Sequence, residues 1–188
     1  QPQKAELALQ AGALDMCGMT RALICDPHMP NKVMATQLDD IRACIACNQA
    51  CIGHFHKGLP ISCIQHPQTG RERQYGQLQA VSAAKVIRVI GGGPAGMKAA
   101  ITAAQRGHKV HLYEREAQLG GQVKLAQLLP QRSEFGGLVG NLERELVLAG
   151  VQVNTSVDVS EEQLSGWQQQ GNEIIIATGA KPYEPIIE

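Results

Sequence analysis

The run Val86–Ile87–Arg88–Val89–Ile90 ends directly on Gly91-x-Gly93-x-x-Gly96, and this junction restricts the fold more than any other feature of the chain. Five mostly β-branched apolar residues read as a buried strand of a parallel sheet. The small residues from Pro94 to Gln105 read as the helix that follows. At such a junction Gly91 permits the tight turn, Gly93 lets the backbone approach a pyrophosphate, and Gly96 lets helix pack on strand. The helix N-terminus adds free N–H groups and a partial positive charge. The pattern extends as G-x-G-x-x-G-x3-A-x6-G-x2-V-x3-E through Ala100, Gly107, Val110 and Glu114. Glu114 closes a second strand, Lys109–Tyr113. There its carboxylate can accept hydrogen bonds from ribose hydroxyls and would repel a 2′-phosphate. The residues predict an adenine-dinucleotide site at which NADP is disfavoured.

The rest of residues 85–188 agrees with a Rossmann-like α/β domain. Ser133 to Ala149 places Phe135, Leu138, Val139, Leu142 and Leu146 on one helical face. Val151–Val153 and Glu173–Ala177 read as further strands, and strand–helix–strand order implies right-handed βαβ connection. Residues 1–43 read differently. A helix around Glu6–Leu9 ends near Gly12, a short buried strand spans Leu14–Gly18, turns fall at Asp26–Pro27 and Met29–Pro30, and a helical turn or two runs from Leu38 to Ala43. Residues 44–84 form a polar loop segment carrying His54, His56 and His66, which read as solvated.

That loop segment holds four of the six cysteines, Cys44, Cys47, Cys51 and Cys63, in the spacing C-x2-C-x3-C-x11-C; Cys17 and Cys25 stand apart. Thiols gathered ahead of a long cysteine-free half point to metal ligation rather than a disulfide scaffold. Three close cysteines plus a fourth after a loop lean towards an iron–sulfur cluster, with a four-cysteine zinc site and disulfides as the alternatives. Equal numbers of acidic and basic residues, 17 each, argue against nucleic acid or an anionic membrane as the main partner. No uncharged apolar run is long enough for a transmembrane helix. Gln1–Pro2–Gln3 carries neither an initiator Met nor a signal peptide, so the chain reads as an internal piece of a larger, cytoplasmic protein.

Val86 to Glu114, then Leu119–Gly120–Gly121–Gln122 and Ile174–Ile175–Ile176–Ala177–Thr178–Gly179, resemble the FAD domain of two-dinucleotide flavoprotein reductases. Asp15–Met16–Cys17–Gly18–Met19–Thr20–Arg21, Asp26–Pro27, Lys32, Asp40–Ile41–Arg42, Cys44 to Cys51 and Pro60–Ile61–Ser62–Cys63 are similar to the old-yellow-enzyme-like iron–sulfur flavoproteins. That group includes 2,4-dienoyl-CoA reductase, 2-enoate reductase and trimethylamine dehydrogenase. The resemblance implies the C-terminal end of an FMN-binding TIM barrel at 1–43, a [4Fe–4S] segment at 44–84, and an incomplete FAD domain at 85–188. It implies cluster ligation by Cys44, Cys47, Cys51 and Cys63, and FMN phosphate contact by Thr20 and Arg21. Gly91, Gly93, Ala95, Gly96, Glu114, Gln122 and Arg132 would contact FAD. Read alone, Arg21 is a surface charge, while Cys17 and Cys25 match no ligand position and read as small buried residues.

The implied parent is an NAD(P)H:flavin oxidoreductase that relays electrons between FAD, the cluster and FMN, to or from a small enoate or amine. An amine dehydrogenase with ADP in the second domain is the alternative within the group. A non-catalytic nucleotide-binding module with a structural zinc is the alternative outside it. Barrel residues that touch the small-molecule substrate, and the nicotinamide domain, fall outside this chain, so it carries no catalytic residue of its own. A homo-oligomer or an electron-transfer partner is expected.

Overall fold

The computed structural model describes residues 2–181. Five short helices come first: α1 (Pro2–Gln10), α2 (Thr20–Cys25), α3 (Met29–Met34), α4 (Ile52–Phe55) and α5 (Glu72–Tyr75). There follow β1 (Val86–Ile90), α6 (Pro94–Gln105), β2 (Lys109–Tyr113), α7 (Val123–Ala126), α8 (Gly136–Leu148), β3 (Gln152–Asn154), α9 (Glu161–Gln169) and β4 (Glu173–Ile176). The four strands form one parallel sheet in the order β3-β2-β1-β4. Val86 pairs with Lys109 and Ile90 with Tyr113 on one side of β1, while Ile87 to Ile90 pair with Glu173 to Ile176 on the other.

Pleat alternation decides what each face meets. Ile87, Val89, Val110 and Leu112 point towards α6 and α8, where Met97, Ile101, Leu142 and Leu146 complete a buried core. On the opposite face Arg88 lies 4.2 Å above the Trp167 ring of α9 and donates to Asn172 Oδ1, and Tyr113 stacks on Trp167 at 4.9 Å between centroids. A cation–π pair thus covers the strand face that no helix core fills.

Strands β1 and β2 and helix α6 match the expected bounds, β3 and β4 lie within a residue of theirs, and α7 and α9 add to the expected elements. Helix α8 starts three residues later than expected, after a 3₁₀ turn at Ser133–Phe135, because the paired glycines Gly136–Gly137 weaken its first turn. The N-terminal part departs further. Leu14–Gly18 is not a strand: a strand needs hydrogen-bonding neighbours, this segment has none among the described residues, and Met16 is 80% exposed. The Met29–Pro30 turn is instead the start of α3, where proline in the first turn costs no hydrogen bond.

The two halves are joined by named contacts. Buried Asp26 accepts from Lys32 Nζ (2.7 Å) and the Arg42 backbone N–H (2.9 Å), folding residues 20–42 onto themselves. Ile45 then inserts into the core beneath α8, and Asn141 of α8 donates to Ala43 O and Gln65 Oε1. Among the described residues no helix is long and apolar enough to cross a membrane.

Candidate dinucleotide groove and cysteine pocket

Parallel strands end at one edge of the sheet, and the open groove lies there, beyond β1 and β2, as expected for an α/β sheet. It has a volume of about 520 Å³ and is bordered by Gly91, Gly93, Ala95, Glu114, Gln122 and the Ala177–Ala180 turn. Gly91 has φ +109°, and a Cβ on it would lie 2.3 Å from Ala177 O. A Cβ on Gly96 would lie 1.9 Å from Gly91 O, so only glycine lets α6 reach the strand. Gly93 differs: its φ of −74° suits any residue, and a Cβ there would meet nothing within 4 Å. Its side-chain position opens on the groove, where it leaves a cradle for a close-approaching ligand.

Glu114 is held before any ligand arrives. Its Oε2 accepts from the Gly92 N–H at 2.6 Å and its Oε1 from the Glu116 N–H at 2.9 Å. Each oxygen retains a lone pair for a donor in the groove. Gln122 opens α7 and donates to Ala180 O, fixing the lip opposite Glu114. With the unpaired first-turn N–H groups of α6, these features fit the phosphates and ribose of an adenine dinucleotide. Arg132 does not border this groove; it is exposed with its guanidinium 5.3 Å from the Phe135 ring centroid.

Cys44, Cys47, Cys51 and Cys63 border a single pocket. The backbone brings them there: Ala46 and Asn48 take left-handed φ of +53° and +56°, and the Ser62 N–H donates to Ala50 O at 2.7 Å, closing the long loop so that Cys63 returns beside Cys51. Burial pushes the Cys47 thiol up, and the neighbouring Cys51, Cys63 and Cys44 push it further. Cys63 moves the other way. The nearby Cys25 thiol, and after it the Gln65 and His66 N–H groups, favour its thiolate against the cost of burial. Four thiols gathered in one pocket are the ligand type that a soft cationic centre takes.

A lone zinc would draw its sulfurs to within about 3.8 Å of one another, on bonds of about 2.3 Å. Four thiols bordering one pocket supply the donor set of either centre, a zinc ion or a four-iron cube with one thiolate on each corner.

The other candidate residues are placed as follows. Arg21 borders the cysteine pocket and donates to Asn48 Oδ1 at 2.7 Å, so it braces the cysteine loop. Thr20 begins α2 beside an open cleft. Cys25 is buried, as expected, with Gln65 Nε2 at 3.3 Å from its sulfur, whereas Cys17 is exposed because the segment around it forms no strand. His56 is exposed, but His54 pairs with Pro60 O and His66 is half-buried against Thr69 and Ile24 O. Burial, followed by the nearby Arg42 charge, lowers the His66 pKa.

Sequence reasoning gave no role to Arg42, Glu145 and Lys98. Arg42 Nε donates to Glu145 Oε1 at 2.5 Å, Lys98 Nζ to Glu145 Oε2 at 2.6 Å, and Arg42 Nη1 to Cys25 O at 3.0 Å. Glu145 and Lys98 sit on separate helices of an ordinary amphipathic pattern. Only Arg42, two residues before Cys44, carried any signal.

The sequence profile described as "Pyridine nucleotide-disulphide oxidoreductase" matches residues 85–188. The whole chain is 39% identical to NADH oxidase of Thermoanaerobacter brockii, of which it covers 29%. Over 97% of its length it is 36% identical to N,N-dimethylglycine/sarcosine dehydrogenase of Chromohalobacter salexigens, covering 26% of that protein. Its fold superimposes on 2-naphthoyl-CoA reductase in complex with 2-naphthoyl-CoA with a TM-score of 0.92 at 30% identity, over 100% of this chain and 28% of that one. The chain therefore spans less than a third of the length of these relatives. The similarity runs through the cysteine segment as well as the sheet.

Proposed function

The chain belongs to the pyridine nucleotide-disulphide oxidoreductase family, and from that premise we propose that it is the cluster-bearing and FAD-bearing part of a flavin-dependent iron–sulfur oxidoreductase. In this reading residues 1–43 end an FMN-binding barrel, residues 44–84 hold a [4Fe–4S] cluster through Cys44, Cys47, Cys51 and Cys63, and residues 85–188 hold FAD. Thr20 and Arg21 belong to the FMN phosphate site, and NAD(P)H and a small enoate or amine are the outer substrates.

One observation carries this reading: the four-thiol pocket and the dinucleotide groove are built into a single folded unit. Ile45, between two of the proposed ligands, is part of the core beneath the sheet. A redox centre and a nucleotide site are thereby kept at fixed separation. The bound groups would supply electron transfer; the residues present supply their placement. Gly91 and Gly96 shape the phosphate loop, Gly93 leaves room for the pyrophosphate, Glu114 orients the ribose, and the thiolates balance a cationic cluster.

The test is the iron, acid-labile sulfide and flavin content of protein purified without oxygen, with its visible spectrum. Four iron and four sulfide per chain with bound FAD is the expected result, and Cys47→Ser should bleach the brown colour. Cluster with ADP in place of flavin would favour the amine-dehydrogenase reading, to which the similarity to a sarcosine-type dehydrogenase lends weight. One zinc per chain without sulfide would overturn the redox reading.

A further inference from the structure

The Arg42 side chain is only 18% exposed and sits between the two proposed sites. Its backbone N–H is fixed by Asp26 Oδ2, its Nη1 by the carbonyl of Cys25, and its Nε by Glu145 of α8. The Cys25 sulfur in turn accepts from Nε2 of Gln65, a residue that borders the cysteine pocket, at 3.3 Å. Glu145 is shared with Lys98, which projects from α6, the helix whose N-terminus forms the phosphate loop. The three side chains therefore link the Cys25 backbone, next to the cysteine pocket, to the helix that follows the phosphate loop.

Charge in this region is uneven. Asp26 is matched by Lys32 and Asp40 by Arg144. Glu145 faces two cations, Arg42 and Lys98, with side-chain exposures of 15%, 18% and 24%. The network is left with one excess positive charge, poorly screened because it is largely withdrawn from water. A group that must accept negative charge beside it is favoured in its more negative form.

We propose that Arg42 is a positioning residue that clamps the cysteine loop to the phosphate-loop helix through Glu145 and Lys98, and that the net positive charge of this triad favours the reduced form of the cluster. The proposal rests on the iron–sulfur reading above. Reduction adds one electron to the cluster and no proton, so the cluster and its four thiolates become more negative by one charge. In solution the electron comes from an added low-potential reductant such as dithionite.

The experiment is a dye-mediated dithionite titration of the natural-length protein, read by the electron paramagnetic resonance signal of the reduced cluster, after iron and sulfide have been counted. Arg42→Gln should shift the reduction equilibrium against the reduced form by at least roughly tenfold, about 59 mV for a one-electron couple. Arg42→Lys should stay close to the native midpoint, because it keeps the charge while losing the forked hold on Glu145 and Cys25. Glu145→Gln should move the midpoint in the opposite direction, towards easier reduction.

Opposite shifts are what a charge effect requires and a general loosening does not produce. If Arg42→Gln and Glu145→Gln shift the same way, or neither moves, the proposal is overturned. Should Arg42→Gln fail to assemble the cluster, Lys98→Gln and Glu145→Gln decide in its place: opposite signs sustain the proposal and equal or absent shifts sink it. Native protein with no sulfide would instead overturn the underlying cluster reading, which the metal count reveals before any titration begins.

Discussion

Three glycines of the phosphate loop occupy similar places in the sequence pattern but do different physical work, and substitution separates them. A Cβ on Gly96 would sit 1.9 Å from a backbone oxygen that cannot move away, so Gly96→Ala should cost at least about 3 kcal/mol, the upper range for overpacking. It should lower both the melting temperature and nucleotide affinity. Gly93→Ala fills open space at a φ of −74°, so it should leave the melting temperature unchanged while weakening FAD or ADP binding in calorimetry. Equal thermal losses in both variants would remove the role given to Gly93. Asp26 makes a pH-dependent contribution. Burial alone would raise its pKa, but Lys32 and the Arg42 N–H hold the carboxylate below the ordinary value. The stability it lends is complete above the unfolded value of about 4 and is lost as pH falls through the lower folded value. Denaturant titrations of native protein and Asp26→Asn should therefore differ most at neutral pH and converge in acid.

At the level of elements, legibility followed how local the signal was. Strands β1 and β2 and helix α6 were readable to the residue, because β-branched runs and a glycine-bounded alanine-rich stretch each encode their own ends. Helix α9 was also written locally but went unread. Ser160 caps it by accepting from the Gln163 N–H while Gln163 Oε1 accepts from the Ser160 N–H, a full capping box. Ser160→Ala should cost about 1 kcal/mol and Ser160→Asp much less, measured by denaturant unfolding followed through Trp167 on the same helix. The N-terminal segment was misread for the opposite reason. Leu14–Gly18 has strand-like composition, but strand formation depends on a neighbour that no local pattern specifies. The site divides likewise: the glycines, Glu114 and the cysteine spacing stand out as motifs in the sequence, and Glu114 and the thiols each border a cavity. The Arg42–Glu145–Lys98 network was invisible, since its members meet only after α6, α8 and the cysteine loop have packed.

Across the whole molecule the decisive question is whether the cysteine segment and the dinucleotide domain unfold as one. Ile45 is 5% exposed and lies in the same core as Leu138, Leu142 and Met97, although Cys44 and Cys47 to either side of it border the cysteine pocket. Gln65 and Asn141 add polar ties across the same junction, and both satisfy the Ala43 carbonyl. Ile45→Ala should therefore cost about 2–4 kcal/mol, as for a buried aliphatic side chain truncated in a packed interior. Its effect should reach both halves. Trp167, the single tryptophan, reports on the sheet side, and the reactivity of the buried Cys25 thiol reports on the other. Native protein should lose tryptophan signal and gain thiol reactivity at one denaturant concentration, and Ile45→Ala should lower both midpoints by the same amount. Arg144→Ala removes a half-exposed ion pair with Asp40 at the same junction, and should move neither by more than about 1 kcal/mol. Thiols that became reactive well before the tryptophan transition would show two independent units. The fixed spacing between cluster pocket and nucleotide groove, on which the proposed electron relay depends, would then have no structural basis.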